Sequence, residues 1–546
     1  MVAPAKDEWL RWGFLERLDW CSLDVSKKGP GMPGWMIGFF YVEWLAVQIV
    51  FASVVLSFPT EHSLDRDGSL DRDGMWHIYV RYAVYCHMLH GMAIHTGPGS
   101  RWTGGAPGLL GVFSYVPYRM TPGAMKTGLF RCLGDRRTAM DVLVNVLFFG
   151  LSAAAVLSPE PEPMLVASIC ACDLWFVLFD YNAYLSSLGG SYFGVLVGAC
   201  LLPAQGGRAC AQVSFMIVWI GSGLGKRGPW LPDVNAAFLC SSYWLGGQEW
   251  LWKLMYKGPS DLRPARLGRM MSFVAAVVEF GAPALLFFAP VPGLVKLGIA
   301  LSAAMHGYIT FLIPFDLVLW NWFFGLSAVF LFANCGTVGF DYEGWLVAPW
   351  PVQLVSLWKV MLMMIGLIFP AQASSLFLVK KGVAHKITDA IPTYGRPAWV
   401  AVPEWARNEK WLGSAIAIPE MGLYKGIALM YLHKLNLKCL PSLLRQALKE
   451  DSISDFRLMY YDSGACSWSP ERCEQYVGSL QARANFEEGE CICISVSAFP
   501  RLGQPLEWKI IDAQAGVRAQ GRLSVVMAEE VASLPSACEV CNPATP

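Results

Sequence analysis

The chain has 546 residues, of which 55% are hydrophobic and only 15% are charged, a balance that excludes an ordinary soluble protein. Its 42 basic and 42 acidic residues cancel, so no basic field points to nucleic acid as a partner. The 23 tryptophans and 19 tyrosines are typical of a protein with many membrane–water boundaries. The composition therefore predicts an integral membrane protein surrounded by the lipid bilayer.

Residues 1–34 form a charged N-terminal segment with ten Asp, Glu, Lys and Arg residues. Because the first long apolar run begins only at Trp35, this segment does not have the pattern of a signal peptide. Its aromatic residues are interspersed with charges, which favours either a helix at the membrane interface or a cytosolic helix packed on the membrane domain. Both alternatives stay open, and both place the segment on the cytoplasmic side.

Residues 35–375 are predicted to form a transmembrane helical domain. A spanning helix needs about twenty largely apolar residues, and about eight to ten runs of the chain reach or approach that length. We therefore expect an all-α polytopic membrane bundle. The runs are 35–58, 75–96, 139–158, 164–185, 192–204, 210–225, 272–289, 294–313, 317–333 and 352–369.

The distribution of basic residues gives an independent test of topology. Lysine and arginine are concentrated in 97–138, in 226–271 and after residue 379, whereas 159–163 and 334–351 contain neither. With about ten spans, all basic segments and both termini fall on the same side, which is the cytoplasmic side. The sequence does not identify which membrane this is.

Residues 376–546 are predicted to form a C-terminal cytoplasmic α+β domain. Residues 423–450 and 469–484 have helical patterns, and 491–499, 508–516 and 517–527 have strand patterns. This part of the chain has no phosphate-binding loop, no nucleophile elbow and no set of zinc ligands. A regulatory or structural role is therefore expected for it.

The segment 296–332 is the leading candidate site because polar residues interrupt a long apolar run. Hydrocarbon offers no hydrogen-bond partner, so these side chains must face the protein interior or a wet cavity. We expect His306 to act as an acid, a base or an orienting group, and Asp316, Trp320 and Asn321 to bind substrate. The alternative is that they only hold neighbouring helices together.

A second candidate is Lys226, which follows a glycine-ended helix at the membrane boundary. Apolar surroundings disfavour the ammonium form, which would make the neutral amine available as a base and a catalytic partner of His306. The alternative is an ordinary boundary lysine that extends its amine toward water and sets topology.

Further intramembrane polar residues lie in other runs. His87 and His90 share a helix face and could ligate a metal, but the chain lacks the second histidine box of membrane di-iron oxygenases, so we expect no metal. A polar cavity lining or an interfacial cluster is the favoured interpretation of these histidines. Glu43, Arg81 and Glu279 could line a proton or solute path.

Several long motifs resemble a family of multi-pass membrane proteins, the transmembrane domain of unknown function 3556. They are IVWIGSGLGKRGPWLPDV (217–234), DLRPARLGRMMSFVAAVVEFGAPALLFF (261–288), MHGYITFLIPFDLVLWNWFFGL (305–326), RANFEEGECICISV (483–496) and WKIIDAQAGVRAQGRL (508–523). Where that family usually places a glutamate before the Trp-Asn pair, this chain has Leu319, which makes Asp316 the candidate replacement. The family's activity is not established, so the resemblance assigns no catalytic residue.

The membrane domain is also similar, more distantly, to vitamin K-dependent gamma-carboxylase-like domains. The similarity rests on Gly225 and Lys226 followed by Trp230, and on a later histidine-bearing span. It implies a lysine base that acts toward a reduced quinone. The lysine-to-tryptophan spacing differs, and the tail shows no large luminal domain, so carboxylation of peptide glutamate is not expected.

The first functional hypothesis is a membrane-embedded enzyme that acts on a lipid-soluble substrate such as a quinone or an isoprenoid lipid. The alternatives are a transporter or channel, and a membrane scaffold whose cytoplasmic tail binds partners. A transporter often shows an internal repeat with matched broken helices, which this sequence lacks. The sequence leaves the cofactor, the protein partners and the oligomeric state undetermined.

Overall fold

The structure is a computed structural model that describes the predicted membrane domain mainly through its helices. Lys226, Asp316, most of the run 352–369 and the predicted helix 423–450 lie outside the described residues. The described residues are 8, 11, 34–59, 72–92, 94, 112, 116–117, 119–123, 126, 136–180, 183–184, 187, 189–225, 236, 239–240, 244–245, 248–258, 265–289, 291–312, 318–333, 339–354, 373–380, 398–399, 416–418, 456–461, 474, 477–478, 481–482, 484–497 and 506–523.

The first nine predicted apolar runs each coincide with a long helix in the described part of the chain. Two further short helices lie outside these nine runs. The helices are α1 (Gly34–Ser57), α2 (Arg72–Gly91), α3 (Ala139–Leu157), α4 (Pro163–Phe179), α5 (Gly189–Leu201), α6 (Ala204–Gly225), α7 (Glu249–Met255), α8 (Arg266–Phe288), α9 (Pro292–Leu312), α10 (Val318–Ala333) and α11 (Tyr342–Val347).

Three helices of the described residues are long and apolar enough to cross a membrane: Ala139–Leu157, Arg266–Phe288 and Pro292–Phe311. Four shorter apolar helices accompany them: Tyr41–Ser57, Pro163–Phe179, Ser191–Leu201 and Leu319–Ala333. The described chain is therefore mostly helical, with three candidate spans. The ten-span topology and the cytoplasmic position of the termini stay predictions.

The starts of α3 and α4 show how local sequence sets the helix ends. Thr138 caps the start of α3, since its side chain accepts from the Asp141 backbone N–H while the Asp141 side chain accepts from the Thr138 backbone. After α3 ends, Pro163 begins α4 at the first helical position, where its missing N–H costs nothing. The result is a short turn between two antiparallel helices.

Close helix contacts depend on glycine at a few positions. A Cβ on Gly325 of α10 would lie 3.3 Å from the Cβ of His306 on α9. A Cβ on Gly298 of α9 would lie 3.1 Å from the carbonyl oxygen of Ala282 on α8. These glycines therefore let three successive helices approach closely.

Helix α2 lies at the centre of the bundle and is buried along most of its length. Its tyrosines form hydrogen bonds to two other helices, α1 and α10. The Tyr85 hydroxyl donates to the Val47 carbonyl of α1 at 2.9 Å, and the Tyr79 hydroxyl lies 3.1 Å from Ser327 Oγ of α10. Apolar side chains such as Leu45, Phe273 and Leu297 are exposed on the outer helices, as expected for surfaces that face hydrocarbon.

The described strands of the C-terminal part form one seven-stranded sheet in the order β2-β3-β4-β1-β5-β6-β7. Among these described strands, β3 and β4 are the only parallel pair. The last three strands form an antiparallel meander, which confirms the strand patterns read from 491–499, 508–516 and 517–527. The strands are β1 (Ala373–Lys380), β2 (Ala398–Trp399), β3 (Ile416–Ile418), β4 (Phe456–Tyr461), β5 (Cys491–Ser497), β6 (Leu506–Asp512) and β7 (Gly516–Leu523).

Candidate functional site

His306 is buried near the end of α9 and is held by the first turn of α10. Its Nδ1 lies 2.9 Å from Oδ1 of Asn321, and both side chains are buried. An amide oxygen only accepts hydrogen bonds, so Nδ1 carries the hydrogen of this contact. In the neutral ring the lone pair then resides on Nε2, which gives His306 the tautomer of a base.

Aromatic side chains surround this imidazole. The Trp219 ring of α6 lies edge-on at 5.0 Å between ring centroids, the Phe324 ring is stacked at 6.0 Å, and Trp320 lies edge-on at 6.1 Å. We call this group the His306 site; it comprises His306, Asn321, Trp219, Trp320 and Phe324. The three rings that contact the imidazole in the described part of the chain are therefore all aromatic.

Two hydrogen bonds fix the backbone and the wall of the His306 site. The Thr310 hydroxyl donates to the His306 carbonyl at 2.8 Å within α9. The Trp320 indole N–H donates to Ser191 Oγ at 3.0 Å, which ties α10 to the start of α5. Trp320 is therefore held in one orientation beside the imidazole.

The structure thus brings together His306, Trp320 and Asn321, three of the five residues predicted for this site. Lys226 and Asp316 lie outside the described residues, so their places in the site stay predictions. Helix α6 does reach the site through Trp219 and continues to Gly225. Six residues at a rise of 1.5 Å place Gly225 about 9 Å farther along the axis.

The guanidinium group of Arg81 on α2 donates hydrogen bonds to carbonyl groups at the ends of α1 and α3. Nε donates to the Val156 carbonyl at 2.9 Å, Nη1 to the Phe58 carbonyl at 2.7 Å, and Nη2 to the Val54 carbonyl at 3.4 Å. Carbonyl groups in the last turn of a helix lack intrahelical donors, so a buried arginine satisfies them. These contacts give Arg81 a structural role in joining α1, α2 and α3.

Glu43 and Glu279 are also buried, on α1 and α8. The neighbour of Glu43, Trp44, contacts the Trp322 ring of α10 at 4.2 Å, so that α1 packs beside the helix that carries Asn321. Both glutamates are therefore buried carboxylates, and their position within the membrane stays a prediction.

A second polar cluster, which we call the buried charge layer, lies where α2, α3, α4 and the start of α5 meet. Lys126 Nζ lies 2.6 Å from Asp141 Oδ2, and Arg137 Nε lies 2.7 Å from Asp180 Oδ2. All four side chains are almost completely buried. The layer comprises these two pairs together with Asn145, Arg119, His87 and Asp173.

His87 and Asp173 form the third ionisable pair of this layer. His87 Nε2 lies 3.0 Å from each carboxylate oxygen of Asp173, and Nδ1 lies 2.9 Å from the Ser187 carbonyl. Both ring nitrogens therefore face oxygen atoms. The imidazole is packed edge-on against Phe148 at 4.9 Å and lies 5.0 Å from the Tyr192 ring.

Arg119 completes the layer from the segment before α3. Its Nε donates to Asn145 Oδ1 at 2.6 Å and its Nη1 to the Gly91 carbonyl at 2.8 Å. Its guanidinium carbon lies 5.0 Å from the centre of the Phe176 ring. This arrangement combines hydrogen bonds with a cation–π contact at a buried position.

The charge layer was largely missed by the sequence analysis, which singled out only His87 and His90 there. Asp173 and Asp180 were detectable in principle, as the two carboxylates within the apolar run 164–185. Lys126 and Arg137 were assigned to a basic loop that sets topology, and nothing in the local sequence distinguishes a buried loop cation from a solvated one.

The described contacts of the two histidines bear on the metal hypothesis. His90 Nδ1 lies 2.8 Å from the Cys86 carbonyl and 2.9 Å from the Tyr192 hydroxyl, while both His87 nitrogens contact oxygen atoms of the protein. Among the residues that the structure describes, no group of three or more His, Cys, Asp or Glu could hold a metal ion.

Comparison with known proteins identifies one family. Residues 2–383 match the family model described as "Transmembrane protein of unknown function (DUF3556)", which is more than half of the chain. The match covers the predicted membrane domain and ends before the tail motifs at 483–496 and 508–523. No curated protein matches the chain, and no solved structure does either, so the similarity to gamma-carboxylase-like domains is not supported. The chain therefore belongs to the DUF3556 family of transmembrane proteins of unknown function.

Proposed function

We propose that this protein is a membrane-embedded enzyme that acts on a lipid-soluble substrate at the His306 site. His306 is the general base, Asn321 fixes its tautomer, and the aromatic side chains bind the apolar part of the substrate. The observation that carries this proposal is the 2.9 Å contact between His306 Nδ1 and Asn321 Oδ1 inside an aromatic surround.

The histidine–amide contact has the geometry that base catalysis needs. A base is most effective when a third group fixes its orientation and leaves the other nitrogen with a lone pair. Asn321 meets the first condition, because its amide oxygen accepts from Nδ1, and the resulting tautomer meets the second. A simple bond between two membrane helices is worth only about 0.6 kcal/mol on average, so helix association alone does not require a buried histidine.

The aromatic surround supports a planar or polyisoprenoid substrate. Indole and phenyl rings offer stacking and dispersion contacts, which suit a quinone ring or a prenyl chain better than an ionic solute. Trp320 is only partly buried, and its ring is held beside His306 by Ser191. Lys226, which follows α6 beyond Trp219, is proposed as a second acid–base group.

A transporter is supported less well by the contacts of the described residues. Such a path would use Arg81 together with the intramembrane glutamates, but the Arg81 guanidinium donates to three backbone carbonyl groups. A scaffold would have no need for the oriented histidine. The transporter and the scaffold are the alternative outcomes of the experiment below.

The test is turnover by the full-length protein in lipid nanodiscs. Wild type, His306→Gln and Tyr308→Phe are each incubated with a total lipid extract of the expression host and its small-molecule extract, which supplies co-reactants. Tyr308 lies on the same helix and is 39% exposed, so its variant is a matched control outside the site. Untargeted mass spectrometry then compares the lipids.

We expect one lipid species to be consumed and another formed by wild type and Tyr308→Phe, with the rate at least tenfold lower for His306→Gln. Equal conversion by His306→Gln would exclude His306 as the base. If wild type converts no lipid under any condition, the enzyme proposal is wrong, and flux of labelled solutes in proteoliposomes then tests the transporter.

A further inference from the structure

The inference concerns His87 and Asp173 in the buried charge layer, and it is independent of the function proposed for the His306 site. Both side chains are fully buried, and they lie 86 positions apart in the chain. His87 comes from α2, Asp173 from α4, and the Ser187 carbonyl that His87 also contacts precedes α5. One imidazole of α2 therefore contacts both α4 and the segment before α5.

The hydrogen-bond pattern requires two protons on this pair. The Ser187 carbonyl only accepts, so the 2.9 Å contact needs a hydrogen on Nδ1. The Asp173 carboxylate lies 3.0 Å from Nε2 through both oxygens, so a second hydrogen must lie between Nε2 and the carboxylate. Whether that hydrogen is assigned to the imidazole or to the carboxyl group, the pair as a whole is uncharged.

A neutral histidine beside an ionised carboxylate cannot make both contacts. If one proton leaves, the remaining ring hydrogen stays on Nε2, because the hydrogen bond to a carboxylate is stronger than the one to a carbonyl. Nδ1 then presents a lone pair to the Ser187 oxygen at 2.9 Å, and these two atoms repel. Loss of the proton must therefore separate His87 from Ser187.

Ionisable and charged groups of the neighbouring elements surround this pair. The titratable or charged groups of the neighbouring elements are Cys86 and His90 of α2, Arg119 and Lys126 before α3, Asp141 of α3, Cys170 and Cys172 of α4, Asp180 with Arg137, and Tyr192 of α5.

We propose that His87 and Asp173 form an intramembrane proton-binding site. The protonated pair donates a hydrogen bond from His87 to the Ser187 carbonyl. Release of the proton to solvent water breaks this hydrogen bond and weakens the link that His87 makes between α4 and the segment before α5. The ligand is a single proton, which needs no cavity beside the fully buried side chains. The chain thereby couples a proton to the position of the segment that leads into α5.

The test uses the full-length protein in nanodiscs with histidine labelled by nitrogen-15. The chain has eight histidines, so the spectrum contains few signals, and the one missing from His87→Gln belongs to His87. The wild-type signal is followed from about pH 5 to about pH 9, the range in which histidine charge changes are accessible. Asp173→Asn removes the carboxylate charge and keeps its shape.

We expect the wild-type His87 ring to carry hydrogen on both nitrogens at low pH and to lose one with a single midpoint inside this range. In Asp173→Asn that midpoint falls by at least one pH unit, a tenfold loss of proton affinity. His306→Gln, which removes another buried histidine, leaves the His87 midpoint unchanged. A wild-type His87 that stays in one neutral tautomer throughout, or a midpoint unaffected by Asp173→Asn, overturns the proposal.

Hydrogen–deuterium exchange of the wild-type peptide spanning 183–193 tests the mechanical part of the proposal. After correction for intrinsic exchange, protection of this peptide must fall as His87 deprotonates and must be low at every pH in His87→Gln. Protection that does not follow the His87 midpoint would refute the coupling to Ser187. If His87→Gln fails to fold, the His87 signal is identified instead as the one whose midpoint moves in Asp173→Asn, and the absence of any such signal overturns the proposal.

Discussion

His306 and Asn321 belong to successive helices, α9 and α10, and their side chains meet at 2.9 Å inside the bundle. The contact is possible because Gly325, one turn beyond Asn321, leaves room for the His306 side chain. A side chain at this glycine would push α10 away from α9. The position of the proposed base therefore depends on Gly325, which has no side chain that could take part in catalysis.

Substitution of Asn321 by leucine is expected to lower turnover at least tenfold while the protein still folds. The leucine removes the acceptor for Nδ1, so the imidazole loses its fixed tautomer and one buried donor loses its hydrogen bond, at a cost of about 1–3 kcal/mol. Lipid conversion and thermal unfolding in nanodiscs measure the two effects. Turnover equal to that of wild type would show that Asn321 does not orient the base.

The buried pair Arg137–Asp180 is expected to be essential for stability. In Asp180→Ala the guanidinium loses its 2.7 Å carboxylate partner in a buried position, and such a loss costs about 3–5 kcal/mol. The double variant Arg137→Met with Asp180→Leu removes both charges and is expected to be the more stable of the two. The unfolding temperature in nanodiscs is measured for both variants and for the wild type.

The exposed pair Lys253–Glu249 provides the control for this comparison. Its side chains are 71% and 80% exposed, so Lys253→Ala is expected to cause no measurable change in unfolding. If Asp180→Ala behaves like this control, the buried pair does not contribute as proposed.

Gly207 of α6 is expected to tolerate no side chain. A Cβ there would lie 2.7 Å from Cζ2 of Trp76 and 3.0 Å from the Gly198 carbonyl oxygen, so Gly207→Ala must displace α2 or α5, at a cost of about 1–3 kcal/mol. Gly307 of α9 has nothing within 4 Å of such a Cβ, and Gly307→Ala is the matched control. Equal unfolding temperatures of the two variants would contradict the close packing of α6.

Cys491 in β5 is expected to resist alkylation while the C-terminal sheet is folded. Burial, together with the charges of Asp512 and Glu490, raises the pKa of Cys491 to about 12. A thiol in the unfolded chain has a pKa of about 8.5, so at pH 8.5 the folded protein holds far less of the reactive thiolate. Iodoacetamide labelling followed by peptide mapping, with and without denaturant, measures this difference.

The same pKa shift makes the stability of the sheet depend on pH. Because the folded state binds the thiol proton more tightly, its contribution is complete below about pH 8.5 and is lost as the pH rises toward about 12. Substitution of Cys491 by alanine should remove this part of the alkaline destabilisation. Rapid labelling of Cys491 in the folded protein would instead show that the thiol is accessible.

The sequence by itself predicted the nine helices that coincide with its first nine apolar runs in the described part of the chain, since apolar runs near twenty residues have few structural solutions in hydrocarbon. It also grouped His306 with Asn321 in one candidate segment, 296–332, and the structure shows how two helices joined by a short connection pack side by side there. The strands β5 to β7 were likewise readable from alternation and the turn between them.

Only the tertiary structure decided which charges are buried and with which partners. Asp173 finds His87 across 86 positions, and Asp180 finds Arg137 across 43. Such pairs depend on how separate helices pack, and hydrophobic periodicity carries no information about which distant helix becomes the neighbour. A lysine in a basic loop and a lysine buried against Asp141 have the same local sequence signal, so the charge layer emerged only when the helices were placed together.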